Sequence, residues 1–109
     1  MEHKELTEKV TGCAYKVYNK MGFGYLENVY EKCLMIEFRK QGLKAEAQKG
    51  IKVYYDEDLV GEYVADIMID DKIIIELKSV KKIIKAHEIQ LVNYLVSTGK
   101  PVGLIINFG

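Results

Sequence analysis

The sequence lacks an excess of either charge. Its 109 residues include 16 Lys plus Arg and 16 Asp plus Glu, so the formal net charge is zero. A broad basic field, by which nonspecific duplex binders displace counterions, is therefore excluded, and any contact with nucleic acid must be local. The chain also lacks an apolar run close to the roughly 20 residues of a membrane span, and its start has no signal-peptide pattern. We therefore expect a protein that does not contact a membrane.

Cysteine is also scarce. Cys13 and Cys33 are the only two cysteines, and they lack the Cys-x-x-Cys spacing of many zinc and redox motifs. Both fall at apolar positions of helical patterns, where a small buried hydrophobe is a better interpretation than a nucleophile. We expect a cytoplasmic protein with reduced thiols, and the length of the chain predicts one domain over residues 1–109.

Apolar periodicity predicts seven elements in the order ααβββαβ. Helical spacing covers residues 5–20, 27–41 and 86–98, and the β-branched and aromatic residues between 44 and 80 predict three antiparallel strands. The single proline, Pro101, follows Gly99 and ends the third helix before a last buried strand, Val102–Asn107. Three antiparallel strands and a fourth reached through a helix imply an α/β (α+β) fold, with a mixed four-stranded sheet flanked by helices.

Two carboxylates interrupt strand segments that are otherwise apolar. Asp66 lies within residues 63–69 and Glu76 within residues 72–78. A buried carboxylate loses its hydration, and a divalent metal is the compensation that also suits Lys78, which shares the strand face of Glu76. The pattern predicts a Mg²⁺ or Mn²⁺ site with both acids as ligands and Lys78 beside the attacking water. The alternative is an ordinary cross-strand ion pair between Glu76 and a lysine.

The length of the loop at residues 70–71 decides whether the two carboxylates meet. A two-residue loop would place Asp66 opposite Ile75, on the wrong face from Glu76. A third loop residue, Lys72, or a bulge in either strand would place Asp66 opposite Glu76. The metal-site hypothesis therefore predicts an odd loop or a bulge.

A polar stripe on the third helix is consistent with the same chemistry. His87, Gln90 and Tyr94 share one helix face, and uncharged polar groups of this kind orient waters or phosphate oxygens at the mouth of a site. A solvated surface is the alternative. A cationic cluster before this helix would contact a phosphate backbone or simply lie in a solvated loop, and it consists of Lys81, Lys82 and Lys85.

The second helix begins with an acid and a tyrosine at helical spacing. Glu27 and Tyr30 share a face. Glu27 would be a metal ligand or would simply complement the helix dipole, and Tyr30 is a candidate substrate contact. The segment Gly22–Gly24 follows a helix and lacks the third glycine of a dinucleotide fingerprint, so a nucleotide cofactor is excluded.

Several segments together resemble a known family. The matching positions are Gly24–Tyr30, which fits the signature of the GxxExxY family, Asp66, the tripeptide Glu76–Lys78 and the segment Gln90–Tyr94. That family is placed in the PD-(D/E)XK nuclease superfamily, so the resemblance implies a restriction-endonuclease-like αβββαβ core with the first helix as an N-terminal addition. Ala65 departs from the proline of the superfamily name, and we expect similar proteins to continue past Gly109 with a basic segment.

The resemblance also implies roles for individual residues. Residues that match Asp66 and Glu76 bind the metal in that superfamily. The residue that matches Lys78 serves the nucleophilic water, and an acid that matches Glu27 completes the metal site. The segment Gln90–Tyr94 is similar to the motif of RecB-type nucleases.

The leading hypothesis is a Mg²⁺- or Mn²⁺-dependent nuclease that hydrolyses DNA or RNA with water as the nucleophile. The candidate catalytic residues are Asp66, Glu76, Lys78, Gln90 and Tyr94; the candidate metal ligands are Asp66, Glu76 and Glu27; the candidate substrate contacts are Tyr30, Lys81, Lys82, Lys85 and His87. One alternative is a nuclease-fold binding module without turnover that acts through a protein or nucleic-acid partner or as a homodimer. Another is a hydrolase of a different phosphate ester.

Overall fold

The structure is a computed structural model that describes residues 3–109. Its elements follow the order ααβββαβ, which confirms the order expected from the sequence. The helices are α1 (Lys4–Met21), α2 (Glu27–Lys40) and α3 (Lys85–Thr98), and the strands are β1 (Ala45–Tyr55), β2 (Asp58–Ile69), β3 (Ile73–Lys78) and β4 (Val102–Asn107). No helix within the described range is both long and apolar enough to span a membrane.

The four strands form one mixed sheet in the order β1-β2-β3-β4. β1, β2 and β3 pair antiparallel, whereas β4 follows α3 and pairs parallel with β3. A parallel neighbour requires such a crossover, because a tight hairpin can join only antiparallel strands. β3 lies inside the sheet and is buried on both faces, which explains its uninterrupted apolar run Ile73–Ile75.

The loop between β2 and β3 contains three residues. Ile69 pairs with Ile73, so the loop consists of Asp70, Asp71 and Lys72. Asp70 and Asp71 have φ angles of 50° and 57°, and the Lys72 N–H donates to the Ile69 carbonyl at 2.9 Å, as in a type I′ turn. The three-residue alternative considered from the sequence is therefore the one that the chain adopts.

The helices bury two apolar clusters, one on each face of the sheet. The larger cluster joins α1 and α2 to the sheet, and its buried members include Val17, Leu34, Phe38, Ile67, Ile69, Ile75 and Leu77. The smaller cluster joins α3 to the opposite face, with buried members Ile51, Ala65, Met68, Ile74, Leu91 and Tyr94. Full burial of one such aliphatic side chain stabilises the fold by roughly 1.5–3 kcal/mol, so β2 and β3 are fixed from both sides.

Both cysteines of the chain are free thiols. Cys13 is buried among the side chains under α1, and Cys33 is partly buried. Burial raises the pKa of the Cys13 thiol, and the Glu37 carboxylate raises it further although Lys16 lowers it in part. A thiol that resists ionisation is a poor nucleophile, which agrees with the interpretation of Cys13 as a small buried hydrophobe.

Candidate active site

Asp66 and Glu76 lie opposite each other where β2 and β3 separate. The last regular pair of their ladder is Ile67 with Ile75, and the register therefore places Asp66 beside Glu76. At the next position the Oδ2 atom of Asp66, rather than a strand carbonyl, accepts the Leu77 N–H at 2.7 Å. The backbone of β3 thus holds the Asp66 carboxylate on the strand that carries Glu76.

Glu76 is a buried carboxyl group with an unpaired oxygen. The residue is 8% exposed, and its Oε1 atom has no hydrogen-bond partner among residues 3–109. Burial, followed by the Asp66 charge and a hydrogen bond with the Asp66 side chain, raises the pKa of Glu76 to about 8. The Asp66 backbone and the Lys78 charge lower this pKa only in part. Without a cation, Glu76 therefore keeps its proton at neutral pH.

The same pair of carboxylates suits a divalent cation. Carboxylate oxygens are hard ligands of the kind that Mg²⁺ and Mn²⁺ accept, and a cation at Oε1 would satisfy the unpaired atom of Glu76. Glu76 takes part in none of the ion pairs formed within the described chain, so the ordinary cross-strand pair with a lysine is not formed. The donor set thus fits a metal better than a simple ion pair.

β1 and β2 are irregular at Asp66. Ile67 packs beneath α1 and α2 whereas Ala65 packs beneath α3, although residues two apart share a face in a regular strand. On β1, Gln48 lies opposite Asp66 and has a φ of 53°, a left-handed conformation that non-glycine residues rarely adopt. The Gln48 side-chain amide donates to the Glu31 carboxylate of α2. The irregularity of β2 therefore occurs at Asp66, whose side chain accepts a hydrogen bond from β3.

Lys78 ends β3 and is anchored beside the carboxylates. The positive charge of Lys78 lowers the pKa of Glu76, as expected for a cation on the same strand face. The Lys78 carbonyl accepts the Phe108 N–H at 2.9 Å, which ties the end of β3 to the end of β4. Asn107 fixes the loop that follows through two hydrogen bonds of 3.1 and 2.8 Å with the Val80 backbone. The backbone at Lys78 is therefore fixed by hydrogen bonds on β4 and in the following loop.

Tyr94 brings α3 to the carboxylate pair. The residue is 5% exposed, and its hydroxyl accepts a hydrogen bond of 2.9 Å from the Gln90 side-chain amide. Burial raises the pKa of Tyr94, and the nearby Glu76 carboxyl raises it further although Gln90 lowers it in part. The phenol therefore stays protonated at neutral pH and retains its own hydrogen for a second acceptor.

The remaining residues predicted on the α3 side lie around the start of this helix. The Nδ1 atom of His87 accepts the Ile84 N–H at 3.2 Å, so the imidazole caps the start of α3. Lys81 and Lys82 lie in the loop between β3 and α3, and Lys85 is the first residue of α3. All three lysines are exposed, and their contact with a ligand stays a prediction.

The structure buries Tyr30 and leaves Glu27 exposed at the start of α2. Glu27 is exposed in the first turn of α2, and residues 3–109 contain no group of three or more His, Cys, Asp and Glu side chains arranged to hold a metal. Tyr30 has no exposed surface; its hydroxyl donates to the Gly22 carbonyl at 2.6 Å, and its ring stacks on Phe108 at 4.1 Å between centroids. A packing role therefore replaces the predicted contact between Tyr30 and substrate.

Three residues of the site were missed by sequence analysis. Gln48 and Glu31 form the bond between β1 and α2, and Tyr63 packs against Tyr94 with ring centroids 5.6 Å apart. Glutamine gives no signal for a left-handed backbone, which glycine or asparagine would have given. The alternating pattern of β2 gave Tyr63 the appearance of an ordinary strand residue.

The sheet order and the acids on neighbouring strands, followed by a lysine, define a nuclease fold of the restriction-endonuclease-like class. The sequence model of the PD-(D/E)XK nuclease superfamily matches residues 4–109, and the chain therefore belongs to this superfamily. A search of curated proteins and a search of solved structures each found no match. The three helices and the mixed four-stranded sheet are consistent with the restriction-endonuclease-like fold of this superfamily.

Proposed function

We propose that this protein is a divalent-metal-dependent nuclease that hydrolyses phosphodiester bonds of DNA or RNA. The observation that carries the proposal is the pair of facing carboxyl groups, in which a buried oxygen of Glu76 lacks a hydrogen-bond partner among the described residues. A protein without use for a cation would gain stability by replacing such a buried acid with an apolar residue. Membership in a nuclease superfamily supports the same activity.

Asp66 and Glu76 would hold the metal. When bound, the cation would supply Lewis-acid polarisation of the phosphate and a more acidic water. Because the protein offers two carboxylates at this point, the other ligands would be waters and phosphate oxygens of the substrate, as is usual for Mg²⁺. Glu27, which is exposed in the first turn of α2, stays a candidate for a further protein ligand.

Lys78, Gln90 and Tyr94 would act on the water and the phosphate. Hydrolysis adds the water oxygen to phosphorus and breaks one phosphorus–oxygen ester bond, so negative charge develops on the phosphate oxygens. The Lys78 ammonium would offset this charge and orient the water. Tyr94, held by Gln90, would donate its hydrogen to a water or a phosphate oxygen beside Glu76.

We further propose that the chain is a member of the GxxExxY family. The local structure supplies a physical reason for two of its signature positions. Gly24 has a φ of 104°, which favours glycine, and the Tyr30 hydroxyl closes the loop before α2 by bonding to the Gly22 carbonyl and the Tyr25 N–H. A cytoplasmic location and assembly as a homodimer stay predictions.

Calorimetry with Mn²⁺ and Mg²⁺ tests the metal site, with the wild type compared with an Asp66→Asn, Glu76→Gln double variant. The matched control is Asp56→Asn, Glu57→Gln, which makes the same chemical changes at the exposed turn between β1 and β2. We expect heat of binding from the wild type and the control and none from the double variant at equal circular dichroism. Equal binding by all three proteins would contradict the proposed ligands.

Cleavage of labelled single-stranded and duplex DNA and RNA tests the chemistry. Lys78→Met should reduce the cleavage rate by about 10²-fold or more while the calorimetric binding of Mn²⁺ stays close to that of the wild type. Unchanged cleavage would remove Lys78 from the proposal. Metal binding without cleavage of any of these substrates would instead favour a nuclease-fold binding module.

A further inference from the structure

A groove runs between the β1–β2 hairpin and α3, next to the carboxylate pair. It is lined by Tyr63 of the hairpin and by α3 side chains that include Ile89, Gln90, Asn93, Tyr94 and Val96. Its volume of about 700 Å³ lies within the ~300–1,000 Å³ that small-molecule sites usually offer. The groove is therefore large enough for a flat ring system.

The lining of the groove combines apolar side chains with neutral polar ones, and among residues 3–109 His87 is its one basic side chain. Tyr63, Ile89 and Val96 are 48%, 53% and 78% exposed, which leaves neighbouring apolar surfaces in water. The side-chain amides of Gln90 and Asn93 lie among them and offer both donors and acceptors. Within the described chain, no Lys, Arg, Asp or Glu lines this groove. The lining matches a flat, uncharged ligand with a hydrogen-bonding edge better than it matches a phosphate.

Tyr94 connects the groove with the two strands that carry the carboxylate pair. The rings of Tyr63 and Tyr94 are 5.6 Å apart between centroids at an angle of 45°. Tyr94 also packs in the cluster that contains Ala65 and Ile74, which stand beside Asp66 on β2 and close to Glu76 on β3. A ligand that rests on Tyr63 would therefore lie beside Tyr94, which packs against neighbours of the two acids.

We propose that this groove binds an unpaired nucleobase of a single-stranded nucleic acid, with Tyr63 as the stacking surface and Gln90 and Asn93 at the base edge. The inference rests on the proposed nuclease function and names its substrate class. Aromatic side chains stack on the bases of single strands, whereas the bases of a duplex are already stacked and paired. Duplex binding relies on many cationic contacts with phosphates, which this groove does not supply.

Fluorescence anisotropy with a short labelled single strand of mixed sequence tests the groove. The measurement is made in Ca²⁺, and a gel verifies that the strand stays intact. Tyr63→Ala should weaken binding roughly 5- to 150-fold, and Tyr63→Phe, which keeps the ring, should bind like the wild type. Tyr55→Ala is the matched control, because Tyr55 is 73% exposed on β1 and does not line the groove. An abasic strand should bind the wild type as weakly as the normal strand binds Tyr63→Ala.

A second pair of variants tests the α3 wall without altering Tyr63. Ile89 and Val92 are 53% and 55% exposed on the same helix, but only Ile89 lines the groove. Ile89→Glu should weaken binding of the single strand at least tenfold more than Val92→Glu does. Both variants add the same charge to the same exposed helix. A difference between their affinities for the single strand therefore shows that the strand binds in the groove.

The inference would be overturned by equal affinity for the abasic and the normal strand, by tighter binding of the duplex than of the single strand, or by equal effects of the two α3 variants. A change in mass by light scattering in Ile89→Glu, with nucleic-acid binding unchanged, would assign the groove to a second copy and would also overturn it. If Tyr63→Ala still cleaved nucleic acid and bound it with unchanged affinity, the role of the groove would be rejected and the nuclease activity retained. If binding depended on the bases but no cleavage occurred, only the proposed nuclease activity would be rejected.

Discussion

The Glu76 carboxyl group combines burial with a second carboxylate at close range. Both effects disfavour its charged form, and burial is the larger of the two. The Asp66 carboxylate accepts a hydrogen bond from the Leu77 N–H. The proton that the pair binds in the absence of metal is therefore assigned to Glu76. The pair can thus exist in a protonated form without metal and in an ionised form with metal.

The protonation of Glu76 predicts how the stability of the folded chain depends on pH in the absence of metal. The folded-state pKa of Glu76, about 8, lies above the ordinary value of 4.5. The stability that the bound proton provides is therefore complete below about pH 4.5 and is lost as the pH rises through about 8. We expect Glu76→Gln to raise the melting temperature in EDTA above pH 8 relative to the wild type and to change it little near pH 5.

Thermal unfolding across this pH range provides the measurement, with Glu62→Gln on the exposed side of β2 as the control. Added Mg²⁺ should restore the stability of the wild type above pH 8, because a cation replaces the proton, and should leave Glu76→Gln unaffected. If Glu76→Gln followed the same pH profile as the wild type in EDTA, the buried pair would not be the source of the dependence.

Strand β1 contains one residue, Gln48, in a left-handed backbone conformation. Gln48 interrupts a regular pairing in which Ala47 faces Ile67 and Lys49 faces Ala65. Its backbone is left-handed, and its side chain joins β1 to Glu31 of α2. Strained backbone of this kind costs of order 1–3 kcal/mol and is concentrated at functional sites.

Comparison of Gln48→Gly with Gln48→Ala isolates this strain. Both variants delete the hydrogen bond with Glu31, but only glycine adopts a φ of 53° without a steric penalty. We expect Gln48→Gly to be more stable than Gln48→Ala by about 1 kcal/mol in chemical denaturation. As a control, the same pair at Lys52, a β1 residue for which no left-handed φ is found, should favour alanine instead. Equal stability of the two Gln48 variants would show that β1 is not strained there.

At the scale of the whole molecule, the sequence was sufficient for the architecture. Helical spacing and β-branched runs located every element to within about one residue at the helix ends, because each helix buries one face against the sheet. The buried acids were also visible, since Asp66 and Glu76 interrupt apolar runs. Their pairing depended on the parity of one loop, and sequence alone left its length of two or three residues open.

The structure differs from the sequence-based prediction where one residue pattern is compatible with two roles. A tyrosine on the apolar side of a helix can bind a ligand or fill the core, and Tyr30 does the second. Glu27 is exposed in a first-turn position where an acid also complements the helix dipole, and its role as a metal ligand stays a prediction. The groove was hidden because its members come from separate segments, so that Tyr63 and Asn93 meet only in the folded chain.

The absence of net charge predicts how nucleic-acid binding responds to salt. If phosphate contacts come from Lys81, Lys82 and Lys85, a single strand releases few counterions, and the logarithm of the association constant should fall with the logarithm of salt concentration with a slope of about −2. Anisotropy titrations between about 50 and 200 mM salt give this slope. Replacement of the three lysines by serine should reduce the slope to near zero while base-dependent binding to the groove persists at low salt. A slope steeper than about −5 would require a basic surface that the balanced composition does not provide.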